Sequence, residues 1–132
     1  MASIFTRIVN GDIPAYKVAE DEHYLAFLDI NPLARGHTLV VPKQETDYLF
    51  DVDDTTYSGL WLFAKRVALA LDQSVECERI GVAVLGLEVP HAHIHLVPIK
   101  GMHDIDFSKP KLELSQDEFS EIAGRVAAAF KK

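Results

Sequence analysis

The stretch PHAHIHLVP, residues 90–98, places three of the chain's six histidines at every second position between two prolines. That spacing decides how the segment folds. In a strand, side chains alternate, so His91, His93 and His95 share one face while Ala92, Ile94 and Leu96 share the other. A helix would scatter the three rings around its circumference and would have to begin and end at the prolines. The segment is therefore read as a strand from about His91 to Pro98. Its aliphatic face is expected in the core, and its imidazole face wet and directed into one pocket.

The remaining elements follow from period and punctuation. SIFTRIVNGDIP opens on a candidate N-cap, Ser3, carries Ile4, Phe5, Ile8 and Val9 at helical spacing, and is stopped by Gly11 and Pro14. YKVAED and HYLAFLDI, split by Asp21 and Glu22, read as a hairpin. GHTLVVP, residues 36–42, is a third strand with His37 at its start, and RIGVAVLG, residues 79–86, a fourth. Between them a helix starts at Asp53 or Asp54, with Tyr57, Leu60, Trp61, Ala64, Val67, Ala68 and Leu71 on one face. Leu62, Phe63 and Leu69 fall off that face, which predicts contact with a second body, taken here as another subunit. KGMHDIDFSKPKLEL reads as an extended polar crossing. A last helix begins at Ser115, whose spacing to Glu118 is that of a capping box, and repeats Phe119, Ile122, Ala123, Val126 and Phe130.

Composition narrows the class. A chain of 132 residues with 48% apolar and 25% charged residues suits one globular domain with its own core. Cys77 is the single cysteine, so no internal disulfide or paired-cysteine metal site can form, and a reducing cytoplasm is expected. The net charge of −7 disfavours a nucleic-acid polymer as partner, since phosphate backbones need a basic face. No apolar run or leader-like N-terminus points to a membrane or to secretion.

Three explanations of the histidine row compete. Surface histidines on a half-exposed strand are the bland one. Metal binding is the second, but same-face neighbours lie roughly 7 Å apart and the outer pair roughly 13 Å, whereas zinc needs every nitrogen within about 2.1 Å. A His-x-His pair could chelate; the three together could not. The third is chemistry on a phosphate, where neutral imidazole attacks phosphorus without the repulsion a carboxylate suffers, and neighbouring rings donate to phosphoryl oxygens or protonate a leaving group.

HAHIHLVP resembles the His-φ-His-φ-His-φ-φ motif (φ apolar) of the histidine triad (HIT) family of nucleotide-binding hydrolases and transferases. The similarity extends upstream, where SIFTRIVNGDIPAYKVAEDEHYLAFLDINPLARGHTLVVPK looks like the N-terminal half of the family's small nucleotide-binding branch. The resemblance implies that His93 attacks the α-phosphorus to form a nucleotidyl-histidine that water hydrolyses. It implies that His91 orients His93, partly through its backbone carbonyl, that His95 hydrogen-bonds the phosphate, and that His37 joins the network beside the leaving group. Asp29 would bind the ribose hydroxyls, and Phe27 and Ile30 would help form the slot for a purine base. Read from the residues alone, Asp29 could simply make an Asx-turn before Pro32, His37 could be an ordinary strand-start residue, and Phe27 and Ile30 could be core. His23 and His103 match nothing catalytic and are read as surface residues.

The chain departs from the family pattern twice. Before the triad, relatives carry an Asn and a longer Gly-rich loop ending in Gly-Gln, whereas this chain has VAVLGLEVPH, with Leu87 at the Gln position. Backbone amides around Glu88 and Val89 are the remaining candidate donors there. Many bacterial members also hold a structural zinc through a site beginning with Cys-x-x-Cys. Here Ser3 and Thr6 stand near those positions and Glu45 near a histidine, so no metal is expected. The reading is a single HIT-like α+β domain over 1–132, with a C-terminal helical extension at about 115–131. It predicts a five-stranded, mainly antiparallel sheet, one long packing helix and shorter terminal helices. By similarity it is a homodimeric, cofactor-free hydrolase of nucleoside 5'-phosphoramidates or related nucleotidyl bonds. A nucleotide-sensing module that has lost catalysis and a metal-dependent hydrolase using a His-x-His pair are the alternatives.

Overall fold

Polar side chains begin each helix where the sequence places a cap. In the computed structural model, which describes residues 2–131, Ser3 accepts from the Thr6 amide to start α1 (Ile4–Val9). Asp53 accepts from the Thr56 amide to start α2 (Asp54–Ser74). Ser115 and Glu118 exchange both capping-box bonds at the head of α3 (Gln116–Ala129). Such caps satisfy amides that no helical carbonyl can reach, at about 1 kcal/mol each.

The strands are β1 (Lys17–Glu20), β2 (Tyr24–Leu28), β3 (Thr38–Pro42), β4 (Arg79–Ala83) and β5 (Ile94–Ile99). They form one sheet in the order β1-β2-β3-β5-β4, every pair antiparallel. Asp21 turns the first hairpin by accepting from the His23 and Tyr24 amides, both at 2.8 Å. β2 and β3 are buried at every position, so their sequences are continuous apolar runs rather than alternating ones. Ala26, Leu28, Val40, Ile94 and Leu96 face a core built with α2 and α3. Leu25, Phe27, Leu39 and Val41 face a smaller core closed by Phe5 and Ile8 of α1.

Two expectations need correction here. The histidine face is not wet: His91, His93 and His95 are 0%, 5% and 9% exposed, because helix α1 and the segment after β5 cover that side of the sheet. The regular ladder also begins only at Ile94. Upstream of it, the His91 amide turns back to the Val89 carbonyl (2.8 Å) and the Ala92 amide reaches the Thr46 carbonyl (2.7 Å).

Phe63 is the third correction, since it belongs to the core and not to an outer face. It is 1% exposed, with its ring 5.6 Å from both Tyr24 and Phe130. The second body that α2 meets there is α3 of the same chain. Leu62 and Leu69 stay exposed. Phe63→Ala is expected to cost about 3–5 kcal/mol, seen as a lower urea midpoint. A loss below about 1 kcal/mol would contradict this placement.

The crossing segment 100–114 contains no strand. It is tied back by the Leu112 amide on the Pro32 carbonyl (2.9 Å). Among the described residues no helix is long and apolar enough to cross a membrane.

Candidate active site

The loop joining β2 to β3 positions Asp29 and His37. It closes through the Asp29 amide on the His37 carbonyl (2.9 Å) and the His37 amide on the Ala34 carbonyl (3.0 Å). Gly36 makes the approach possible. Its φ is +92°, and a Cβ there would come 2.9 Å from Val75 Cγ2, so both the left-handed backbone and the space favour glycine.

Hydrogen bonds to groups that can only donate or only accept assign the proton on every ring. The Leu33 amide donates to His37 Nδ1 (3.0 Å), so the proton of neutral His37 sits on Nε2. That proton points at His95 Nδ1, 3.0 Å away, which leaves His95 with a proton on Nε2. His91 gives its Nε2 proton to the Pro42 carbonyl (2.7 Å). Its Nδ1 therefore accepts, from Ser3 Oγ at 2.8 Å. His93 gives its Nδ1 proton to the His91 carbonyl (2.8 Å), and its Nε2 keeps a free lone pair.

The rings are held neutral. Burial pushes His37 down to about 3, with the neighbouring imidazoles and Lys111 adding to the shift. Burial and then His93 push His95 down to about 4. His93 and His91 are lowered by burial against the opposing pull of the carbonyls they donate to. Asp29 is raised, mainly by burial, with the Asn31 amide opposing and Glu88 adding.

A cavity of about 230 Å³ opens beside His93. Its lining includes Phe27, Asp29, Ile30, Glu88 and Val89, so the five residues expected around a bound nucleotide surround one space. Phe27 is buried, whereas Ile30 is 64% exposed at the rim. Asp29 makes the turn, its Oδ1 accepting from the Asn31 amide (2.8 Å), while Oδ2 lies 3.6 Å from His37 Nε2.

Of the triad, His93 alone lines that cavity. His95 stands beside it, ring centres 4.9 Å apart, and His37 lies behind His95 at 5.2 Å. The expectation that all three rings enter one pocket is corrected for two of them: His95 stands beside the cavity without lining it, and His91 turns away toward Ser3 and Thr6 at the start of α1. His23 and His103 are exposed, away from the network. A larger cavity of about 620 Å³, lined by Arg35, Ser74, Lys100 and Arg125 among others, contains none of the histidines.

Several residues at the site escaped the sequence reading. Phe5 meets the His93 ring edge-on at 4.9 Å, and Phe107 meets the His95 ring at 4.8 Å. Lys111 donates to the Phe107 and Lys109 carbonyls (2.7 and 2.9 Å), and its charge acts on Asp29 and His37. Only the lone aromatic in DIDFSKPK hinted that this segment reaches the site.

Neither candidate metal set fits its ion. Asp29, His37 and His95 bring ligand atoms within 4.8 Å of one another, but His37 Nε2 carries its proton because Nδ1 is occupied by an amide, so it has no lone pair to give. At the corner where the family resemblance would place a zinc site, Ser3, Thr6, Glu45 and His91 do converge. Their hydroxyls and carboxylate bond to one another (Thr6 Oγ1 to Glu45 at 2.6 Å, the Ser3 amide to Glu45 at 2.7 Å), and hydroxyls do not replace thiolates on zinc.

Comparison with known proteins agrees with this architecture. Residues 10–102 match the HIT domain, and the chain belongs to the HIT family, whose fold is that of nucleotide-binding hydrolases. It is 35% identical over 132 residues to an uncharacterized HIT-like protein of Borreliella burgdorferi, covering 94% of this chain and 95% of that one. It is 38% identical over 99 residues to adenosine 5'-monophosphoramidase HNT1 of Saccharomyces cerevisiae, covering 74% and 62%. The crystal structure of a HIT-like protein involved in cell-cycle regulation from Bartonella henselae superposes with a TM-score of 0.85 at 28% identity, over 97% and 96% of the two chains.

Proposed function

We propose that the chain hydrolyses nucleoside 5'-phosphoramidates, or related nucleotidyl bonds such as those of dinucleoside polyphosphates, through a covalent intermediate on His93. One observation carries this reading: the His93 proton is committed to the His91 carbonyl, which leaves Nε2 as the free nitrogen of the one triad ring that lines the cavity. In the first step the bond from Nε2 to the α-phosphorus forms as the phosphorus–nitrogen bond to the leaving amine breaks. The His95 Nε2–H donates to the phosphoryl oxygens, the leaving amine takes its proton from solvent, and His37 holds His95 in the donor tautomer. Water then attacks phosphorus as the bond to Nε2 breaks, its proton passing to solvent, which releases the nucleoside monophosphate and restores neutral His93. Asp29 accepts from the ribose hydroxyls, Phe27 and Ile30 flank a purine base, and backbone near Glu88 and Val89 faces the phosphate. No step requires a cofactor.

The test is turnover of adenosine 5'-phosphoramidate in excess chelator. Steady release of AMP is the expected result, and a requirement for added metal would reject the mechanism. A second reading, a nucleotide-sensing module, draws on the segment 84–90, where Leu87 is 92% exposed and supplies no amide side chain. Calorimetry separates the two, because binding of AMP or GMP without turnover of any nucleotidyl substrate favours the sensor.

The working form under this proposal is a cytoplasmic homodimer. Exposed Leu62 and Leu69 on α2 and exposed Val82 on the edge strand β4 support a mating surface. Sedimentation as a monomer at micromolar concentration would reject it. Helix α3 lies beyond the matched HIT segment, yet it buries Phe119, Ile122, Ala123 and Val126 in the same core as α2. The whole chain is therefore proposed to act as one domain.

A further inference from the structure

The corner that holds His91 has a defined polarity. Glu45 Oε1 can only accept, and it takes the Ser3 amide proton (2.7 Å) and the Thr6 hydroxyl proton (2.6 Å). Thr6 Oγ1, its proton spent, cannot donate to His91 Nδ1, although the two lie 3.3 Å apart. Ser3 Oγ accepts from the Thr6 amide (3.0 Å), and the nearest acceptor for its single proton is His91 Nδ1 at 2.8 Å. The Thr6 hydroxyl proton goes to Glu45, and the Ser3 hydroxyl proton favours His91 Nδ1 over Thr6 Oγ1, which is the longer contact at 3.3 Å. The His91 ring is locked between Ser3 and the Pro42 carbonyl, and its own carbonyl holds the His93 proton.

We propose that Glu45, acting through Ser3 and Thr6, is a positioning residue that fixes the orientation and tautomer of His91 and thereby the attacking ring of His93. It does by hydrogen bonding, at this corner, what the unsuited donor set cannot do with a metal. A second arm runs through α1. Glu45 tethers the start of that helix, and the helix carries Phe5, whose ring is edge-on to His91 at 5.8 Å and to His93 at 4.9 Å. The Thr6 hydroxyl and the Ser3 amide hold the Glu45 carboxyl down to about 2, so the clamp keeps its charge across the neutral and mildly acid range.

Without Glu45 the Thr6 hydroxyl is free to turn its proton to His91 Nδ1 in competition with Ser3. The single network becomes two, and His91 and His93 lose a unique position. The catalytic half of the inference rests on the proposed hydrolysis; the structural half does not. Three variants test both halves. Glu45→Ala removes the acceptor, and Glu45→Gln restores an acceptor oxygen. Ser3→Asp preserves the N-cap but brings a carboxylate, in place of a proton, to His91 Nδ1.

Nitrogen NMR of the ligand-free protein reads the tautomers directly. The wild type is expected to show His91 protonated at Nε2 and His93 at Nδ1. Glu45→Ala should shift and broaden both, and Ser3→Asp should give a doubly protonated His91. With adenosine 5'-phosphoramidate, Glu45→Ala should lower kcat about tenfold with KM within about twofold, and Glu45→Gln should recover most of the loss, the size expected when an outer partner of a functional imidazole is removed. Unchanged His91 and His93 nitrogen resonances in Glu45→Ala overturn the inference, even if Ser3→Asp fails to fold, since Glu45 is an exposed position. If the wild type shows no turnover, the hydrolysis reading fails while the resonances still decide the clamp.

Discussion

Replacing His93 with alanine is expected to lower the turnover of adenosine 5'-phosphoramidate by about 10⁴-fold or more, with nucleotide binding retained. The size follows from losing an attacking atom rather than a contact. Loss of a nucleophile in a covalent mechanism forfeits the whole two-step path, about 5.5 kcal/mol for a factor of 10⁴. In the proposed mode binding falls to the cavity walls, which include Phe27, Asp29 and Ile30, so the dissociation constant of AMP should stay within a few-fold. Rapid acid-free quenching of the wild type should trap a nucleotidylated histidine that the variant lacks. Equal turnover in the two proteins would remove His93 from the mechanism altogether.

The second large effect is a loss of stability in mild acid. An unfolded histidine titrates near 6.5, whereas in the fold burial moves His37 to about 3 and His95 to about 4. Between those limits the unfolded chain binds protons that the native one refuses. Stability therefore rises with pH, is fully present above about 6.5, and drains away as pH falls toward 4 and 3. At about 1.4 kcal/mol per pH unit for each ring, those two histidines cost about 3–4 kcal/mol between pH 7 and pH 5. His91 and His93 act in the same direction. Asp29, whose carboxyl is raised, acts in the opposite one. Urea melts at the two pH values measure the difference, and equal midpoints would show that the rings protonate without unfolding.

Much of the frame was legible because it is local. Ser3, Asp53 and Ser115 mark helix starts within three residues of the amides they cap, and the runs around Leu25 and Val40 are short, apolar and bounded by turn formers. What escaped notice depends on chain that is distant in sequence. Phe63 looked unpartnered because its neighbour Phe130 caps the end of the last helix. The histidine face looked wet because α1 and Phe107 arrive from either side of it. His91 keeps the period of a strand without belonging to one, since its amide bonds to Val89 before the ladder begins. The motif singled out the triad rings, but where each proton resides is set by partners outside it, the local Leu33 amide and the distant Pro42 and Ser3.

The bond from the Leu33 amide to His37 sets a one-way street for charge. A peptide nitrogen does not titrate in any range the protein experiences, so the order of donors it begins is fixed: while both rings are neutral, His37 donates to His95 Nδ1 and His95 keeps its hydrogen on Nε2. Under the proposed hydrolysis the donor set is thus written into the main chain, and changes to surface charge should leave it intact so long as the turn before β3 keeps its shape.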